Sequence, residues 1–367
     1  MNPKAIRAAA SPKKALRAKG ALRRRCVTPS QQRTFSTAAI LTSPTLTRER
    51  VRVPEWCYGD GDMKGTLRWV VGKNENPAET ATDAVGSSRL AITRLRKQAE
   101  VATDDDRREA FEQIAEAIEG CAQGHRCHHD DCPLCLRARQ RWFAWTAPVA
   151  LRKACPDEPL AVLSIIPDVR LTAGATLAHI KEQITRIVAM LKSGIEEAGI
   201  GLLVGGIDIS ANERRVLRRR RGTEVGDQAA VVRYQLHLWA IGSMRDIRKA
   251  ENALRATFGK STTVHRPVMI GSFDGDLAGF AYALKTSFHR RIALARTPKV
   301  VAAADGNASW TTINRRRNTR KKPLTVAQHA HVMLMLHLLG FDRRLFLIGA
   351  HVTENKNGSP VIRQHSA

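Results

Sequence analysis

The stretch Ala230-Val231-Val232-Arg233-Tyr234-Gln235-Leu236-His237-Leu238-Trp239-Ala240-Ile241 alternates apolar and polar side chains along most of its length. Successive side chains of a strand point to opposite faces of the sheet. Val232, Tyr234, Leu236, Leu238 and Ala240 therefore share one face, and Arg233, Gln235, His237 and Trp239 the other. The apolar row needs helices to cover it, whereas the second row carries imidazole, amide and indole groups suited to chemistry.

Upstream, Leu202 to Ser210 reads as a partner strand, with Asp208 alternating away from Ile207 and Ile209. The loop joining the two strands carries Arg214, Arg215, Arg218, Arg219, Arg220 and Arg221, a basic cluster suited to a nucleic-acid backbone. Further upstream Leu177, Ile180, Ile184, Ile187, Leu191 and Ile195 recur every three or four residues, one apolar stripe on a long helix that Gly199 and Gly201 end. Leu160 to Ile166 reads as a buried strand. Downstream the pattern predicts a helix over about 244–258, a strand around 264–273 and a helix over about 276–295. The order is strand, helix, strand, strand, helix, strand, helix. It predicts an α+β core over 158–296 with a ferredoxin-like antiparallel sheet, helices on one face and the other face free for a ligand.

The flanks differ in composition. No acidic residue occurs from Met1 to Arg48, so 1–50 reads as a disordered basic tail, with an Arg-rich character that an organellar transit peptide shares. Residues 51–119 read as helical: Leu90, Ile92 and Leu95 lie in one segment, and Phe111, Ile114, Ala115 and Ile118 recur at helical spacing after the N-capping run Asp104 to Asp106. Residues 297–367 form a basic region that includes Arg315, Arg316 and Arg317, with one apolar helix over about 325–339 and a strand-like run from Leu345 to Ile348. His329, His331 and His337 do not share one helical face and read as structural or surface residues.

Over 367 residues, 60 Lys and Arg against 34 Asp and Glu give a formal charge of +26. Such a balance favours a polyanionic partner, nucleic acid first, over an acidic small molecule. No stretch reaches the ~20 apolar residues that span a bilayer, so no membrane partner is expected. Seven cysteines, four of them crowded between Cys121 and Cys135, suit metal binding in a reducing cytoplasm better than a secreted disulfide framework.

Cys121, Cys127, Cys132 and Cys135 are separated by gaps of five, four and two residues. Four soft thiolates at this density are what tetrahedral zinc takes, and 120–146 reads as a zinc knuckle. With all four positions filled by side chains the zinc is structural, and His125, His128 and His129 remain possible substitutes for one thiolate. Trp142, Phe143 and Trp145 supply aromatic mass to seal the knuckle. No His-x-Glu precedes the cysteines, which excludes a zinc deaminase.

On the open face, Asp208, Gln235 and His237 combine a carboxylate, an amide oxygen and an imidazole, a mixed set suited to Mg or Mn. The helix expected from Asp276 carries Tyr282, Lys285 and His289 three and four residues apart, hence stacked on one face. A tyrosine beside a lysine and a metal is a candidate nucleophile.

Tyr234-Gln235-Leu236-His237-Leu238 resembles the His-hydrophobic-His motif of the rolling-circle replication initiators of plasmids and phages, and Tyr282-Ala283-Leu284-Lys285 is similar to their Tyr-x-x-Lys motif. Gly206-Ile207-Asp208-Ile209-Ser210 resembles the segment that bears that family's acidic residue. The Cys-Pro-x-Cys knuckle followed by Arg137, Arg139 and Arg141 is similar to the zinc-binding front section of one plasmid branch. The resemblance covers about 120–296. It implies a metal-dependent endonuclease and strand transferase acting on single-stranded or hairpin origin DNA through a phosphotyrosine, with host replication proteins as further partners. Tyr282 would be the nucleophile, Lys285 its helper, and Asp208 and His237 metal ligands. Gln235, a weaker ligand, stands where the family has its first histidine. The alternative is a non-catalytic DNA- or RNA-binding protein on the same sheet, with Trp239 stacking bases.

Overall fold

The computed structural model describes residues 51–59, 81–216, 231–261, 264–295, 301–302, 308–309 and 319–365. The basic tail expected over 1–50, Arg218 to Arg221 and Arg315 to Arg317 lie outside the described residues. So do the side chains of Arg214 and Arg215, although their backbone closes a strand.

The two alternating segments become the longest strands, β3 (Leu203–Val216) and β4 (Val231–Ser243), paired antiparallel with Asp208 opposite His237 and Ser210 opposite Gln235. On the other side of β4 lies β1 (Leu160–Ile165), and beyond it β5 (Val268–Phe273), each pair antiparallel. A short β2 (Leu171–Thr172) adds to the far end of β4. The chain is thus mixed α and β around an antiparallel-rich sheet.

One face of the sheet is apolar as the alternation requires: Ile207, Ile209, Tyr234, Leu236 and Leu238 are all buried. Helix α4 (Leu177–Glu197) covers it with Ile180, Ile184, Ile187, Leu191 and Ile195, and Thr176 caps its first turn by accepting from the His179 N–H. Five such side chains contribute on the order of 10 kcal/mol of apolar burial at ~2 kcal/mol each, an upper bound because unfolded chains are partly collapsed. Helix α5 (Met244–Thr257) adds Ile247, Ala250 and Leu254 beside α4, with Ser243 as its cap.

The predicted helices before the cysteines are α1 (Ala81–Glu100) and α2 (Asp105–Glu119), which pack on each other. They also meet α7 (Val326–Leu339), a helix started by a Thr325–Gln328 capping box and touching α4 and β3. The remaining helices are α3 (Pro133–Ala154), α6 (Leu277–Ala283) and α8 (Phe341–Arg344). Among the described residues no helix is long and apolar enough to cross a membrane.

Two expectations are overturned. The helix expected over 276–295 ends at Ala283, and His289–Ala295 forms β6, parallel to the second half of β3. A long strand with an unpaired edge offers a row of backbone partners, and pairing there outweighs a local helical period that runs through Lys285-Thr286-Ser287. Nor is the second face of the sheet free. Helix α6 lies across β3 and β4, Trp239 Nε1 donates to the Gly279 carbonyl at 3.1 Å, and Gln140 of α3 donates to the Ala281 carbonyl at 2.8 Å. Helices therefore cover both faces.

The chain after Pro298 builds into the same sheet. Strand β9 (Thr319–Pro323) pairs with β6, while β10 (Leu345–Ile348) pairs with the first residues of β3. Two smaller ladders, β7 (Val301–Ala302) with β8 (Ala308–Ser309) and β11 (Ala350–Glu354) with β12 (Pro360–Gln364), stand apart from it. The edge of β3 is thus divided between β10 at its start and β6 at its end.

His329 and His331 on α7 give the fold a pH dependence. Burial pushes both imidazoles down to about 4, with Arg94 adding to the effect on His329 and Arg107 on His331. A histidine with a depressed folded pKa stabilises fully above its unfolded value of ~6.5 and loses that contribution as pH falls towards the folded value. Each shift corresponds to about 3 kcal/mol at most. Denaturant titrations at pH 7 and pH 4.5 should show a fall of several kcal/mol that the double variant His329→Gln, His331→Gln reduces. An equal fall in the variant would assign the acid sensitivity elsewhere.

Candidate functional site

The ladder between β3 and β4 sets Asp208 beside His237 on the face that α6 covers. Asp208 is fully buried, and its Oδ2 lies 2.5 Å from Lys285 Nζ and 3.4 Å from His237 Nδ1. Burial acts to raise the Asp208 carboxyl, but the Lys285 ammonium, with His237 and Arg344, outweighs it and holds the group below its ordinary value. Burial pushes His237 down to about 4 against the opposing pull of Asp208, so its imidazole is neutral near pH 7.

Tyr282 sits in the last turn of α6, half-buried, with its ring 4.7 Å from that of Trp239 in an edge-on contact. Trp239 follows His237 by two residues on the same strand, so the phenol ring stands on the His237 side of the sheet. Lys285 Nζ is 5.7 Å from the centre of the Tyr282 ring. The expected stacking of Tyr282, Lys285 and His289 on one helix is replaced by a different route to proximity. Lys285 follows the helix and turns its ammonium to Asp208, while His289 opens β6.

Gln235 is held apart. Its Nε2 donates to the Pro167 carbonyl at 3.1 Å, which ties it to the segment between β1 and β2. Asp208, His237, Lys285 and Tyr282 thus form one cluster, with Gln235 at its border. Trp239 is engaged by Gly279 and Tyr282 and is no open platform for a base, contrary to the stacking role expected of it.

Two further residues complete the cluster. Arg344, fully buried at the end of α8, reaches the Ile207 carbonyl at 3.4 Å and the Lys285 carbonyl at 2.8 Å. It fills the interval on the edge of β3 between β10 and β6. Gly206 allows α6 to lie against the sheet: a Cβ there would stand 2.2 Å from the Ala283 carbonyl oxygen. A glycine inside a strand pattern marks such a close approach, and Gly205-Gly206 carried that signal. Arg344 carried none.

The four cysteines come together at the start of α3. Cys121 and Cys127 each place Sγ 3.6 Å from Cys135 Sγ, and all four sulfurs lie within 4.8 Å of one another. A zinc ion with ~2.3 Å bonds to four sulfurs has edges of about 3.8 Å, so the cluster can hold a metal such as zinc. Cys132 is the N-cap of α3 and Cys135 lies in its first turn, where the helix dipole favours thiolate. Gly124 and His128 take left-handed conformations that fold the loop between them, with φ of 84° and 53°.

Around the cluster the Tyr58 hydroxyl donates to Cys135 Sγ at 3.9 Å under the Arg126 guanidinium. Arg137 donates to the Tyr58 carbonyl, and Arg139 to Asp130 at 2.6 Å and the His128 carbonyl at 2.7 Å. Arg137, Arg139 and Arg141 are buried, and Arg139 braces the loop from inside. Trp142 and Phe143 are buried beside them, whereas Trp145 is 53% exposed.

Comparison with protein-family models, with curated proteins and with solved structures found no match to the chain.

Proposed function

We propose that the chain nicks and rejoins single-stranded DNA through a phosphotyrosine intermediate, as an initiator of rolling-circle replication. The observation that carries the reading is the presence of the Tyr282 ring on the same side of the sheet as Asp208, His237 and Lys285. The strand order β5-β1-β4-β3, all antiparallel, supports the ferredoxin-like plan on which the resemblance rests. A formal charge of +26 supports a polyanionic substrate.

In this reading the Tyr282 hydroxyl loses its proton to solvent and its oxygen attacks a phosphodiester phosphorus. The P–O3′ bond breaks, the 3′-oxygen leaves and takes up a proton, and the 5′-phosphate stays esterified to the tyrosine; attack by a 3′-hydroxyl reverses the step and rejoins the strand. Lys285 supplies positive charge beside the reacting phosphate and holds Asp208 ionised. Asp208 and His237 fit a divalent ion, because Asp208 Oδ1 accepts no hydrogen bond and the His237 imidazole is neutral. Mg or Mn held there would polarise the scissile phosphate.

The test is covalent capture. With Mn and an end-labelled single-stranded DNA library, the protein should form an adduct that survives denaturation. Tyr282→Phe should abolish it, and His237→Ala should reduce it by roughly 100-fold or more. An adduct that persists in Tyr282→Phe removes the assignment. A second reading, non-catalytic DNA or RNA binding, is favoured by Gln235 at a ligand position and by the neutralisation of Asp208 by Lys285. Binding that survives Tyr282→Phe and His237→Ala, with no cleavage in Mg, Mn or Co, would select it.

A further inference from the structure

Beside the cysteine cluster lies a second group of ligands with different chemistry. Asp131, fully buried, directs Oδ2 to His337 Nδ1 at 2.8 Å, and its Oδ1 lies 3.7 Å from His129 Nδ1. The two imidazole rings are tilted by 46° with centroids 5.7 Å apart, and one ligand atom from each of the three residues lies within 4.8 Å of the others. His129 and Asp131 belong to the loop that carries the cysteines, whereas His337 belongs to the last turn of α7.

We infer that His129, Asp131 and His337 form a second metal site, for zinc or another first-row divalent ion, that clamps the cysteine loop to α7. Three observations carry this. A buried carboxylate needs compensating positive charge, and among the described residues the ion-pair partners of Asp131 are the two imidazoles, with no lysine or arginine. Asp131 Oδ1 is buried and accepts no hydrogen bond. The separations of 2.8 and 3.7 Å bracket the roughly 3.3 Å edge of a tetrahedron with ~2.0 Å bonds to nitrogen and oxygen.

The donor set defines the ligand class. Two imidazoles and one carboxylate are borderline donors that suit Zn, Fe(II), Co or Ni better than Ca or Mg, and they contrast with the all-sulfur set next to them. Three protein ligands leave a tetrahedral ion with one position for water or an exogenous anion. The site is separate from the proposed nicking cluster and does not depend on it.

Metal stoichiometry of the purified full chain tests the inference. After equilibration with Zn and removal of the excess, the wild type should hold two zinc ions per chain. His337→Gln should hold one, with unchanged circular dichroism, because the His337 side chain is one-third exposed and not a core residue. The affinity loss should exceed the roughly 10–100-fold that even outer-shell changes cost. Cobalt substitution separates the two ions: the cysteine cluster gives intense thiolate-to-cobalt charge transfer, and the second site adds only weak ligand-field absorption, which His337→Gln and His129→Gln should each remove. A wild type that takes up a single ion at Zn concentrations up to about 1 mM overturns the inference. So does a second ion whose affinity and cobalt spectrum are the same in both variants.

Discussion

Cys132→Ser is expected to release the metal from the four-cysteine cluster and to open the segment between Gly120 and Asp131 to proteolysis, while α3 and the central sheet keep their fold. In small zinc peptides the metal supplies ~10–16 kcal/mol of folding free energy. Here the effect should be local, because the part of α3 beyond the cysteines is anchored by its own buried residues, Trp142, Phe143, Ala147 and Leu151. The loop has far less support of this kind, since Ala122 to His129 are exposed or half-buried, although Arg139 holds the Asp130 side chain and the His128 carbonyl. Cys132 is the informative position: it is fully buried, and serine keeps its size while removing the soft donor. Loss of the cobalt–thiolate band and a new cleavage site in limited proteolysis are the two readouts. Unchanged proteolysis and unchanged thiol reactivity towards a blocking reagent would mean that the sulfurs pack without an ion.

The second large effect concerns Asp208. Asp208→Asn leaves the Lys285 ammonium, whose side chain is 12% exposed, without its counter-charge. Breaking a buried pair by removing one partner costs ~3–5 kcal/mol, most of it the penalty for the charge left behind. Lys285→Met alone should cost a similar amount for the converse reason. The double variant Asp208→Asn, Lys285→Met should recover a large part of either loss, since an uncharged pair of similar volume avoids desolvating an ion. Urea unfolding of all four proteins gives the coupling energy. Additive losses would show that the 2.5 Å contact does not stabilise the fold. The same series separates stability from chemistry: if the double variant folds well but forms no DNA adduct, the charges serve the reaction.

The central elements were legible because each had one period over enough residues. The alternation in Ala230 to Ile241 placed Gln235 and His237 on the side opposite the apolar row, the alternation of Ile207 and Ile209 placed Asp208 there too, and α4 followed from its isoleucines at three- and four-residue spacing. The four cysteines were legible from density alone. The boundary between α6 and β6 was not, because local periodicity carries no information about an unpaired strand edge more than 70 residues away in the chain. Gln235 had the right face but not the right neighbour: the alternation fixes a direction, whereas the Pro167 carbonyl that holds its amide is set by how the segment after β1 turns. His337 and Asp131 stand 206 positions apart, and no local pattern joins them. His337 therefore read only as a structural or surface histidine, with no sign of the buried carboxylate it reaches.

The divided edge of β3 also bears on the order of events during synthesis. Arg344 and the Ile207 carbonyl it reaches are separated by 137 positions. A ribosome adding ~5–20 residues each second therefore exposes β3 for roughly 7 to 27 seconds before its last neighbours emerge. During that interval a strand with open backbone groups invites intermolecular pairing, and loop closure over such a span slows the final docking. Chains stopped before Phe341 should accordingly aggregate, even though every residue of the Asp208, His237, Lys285 and Tyr282 cluster is already present in them.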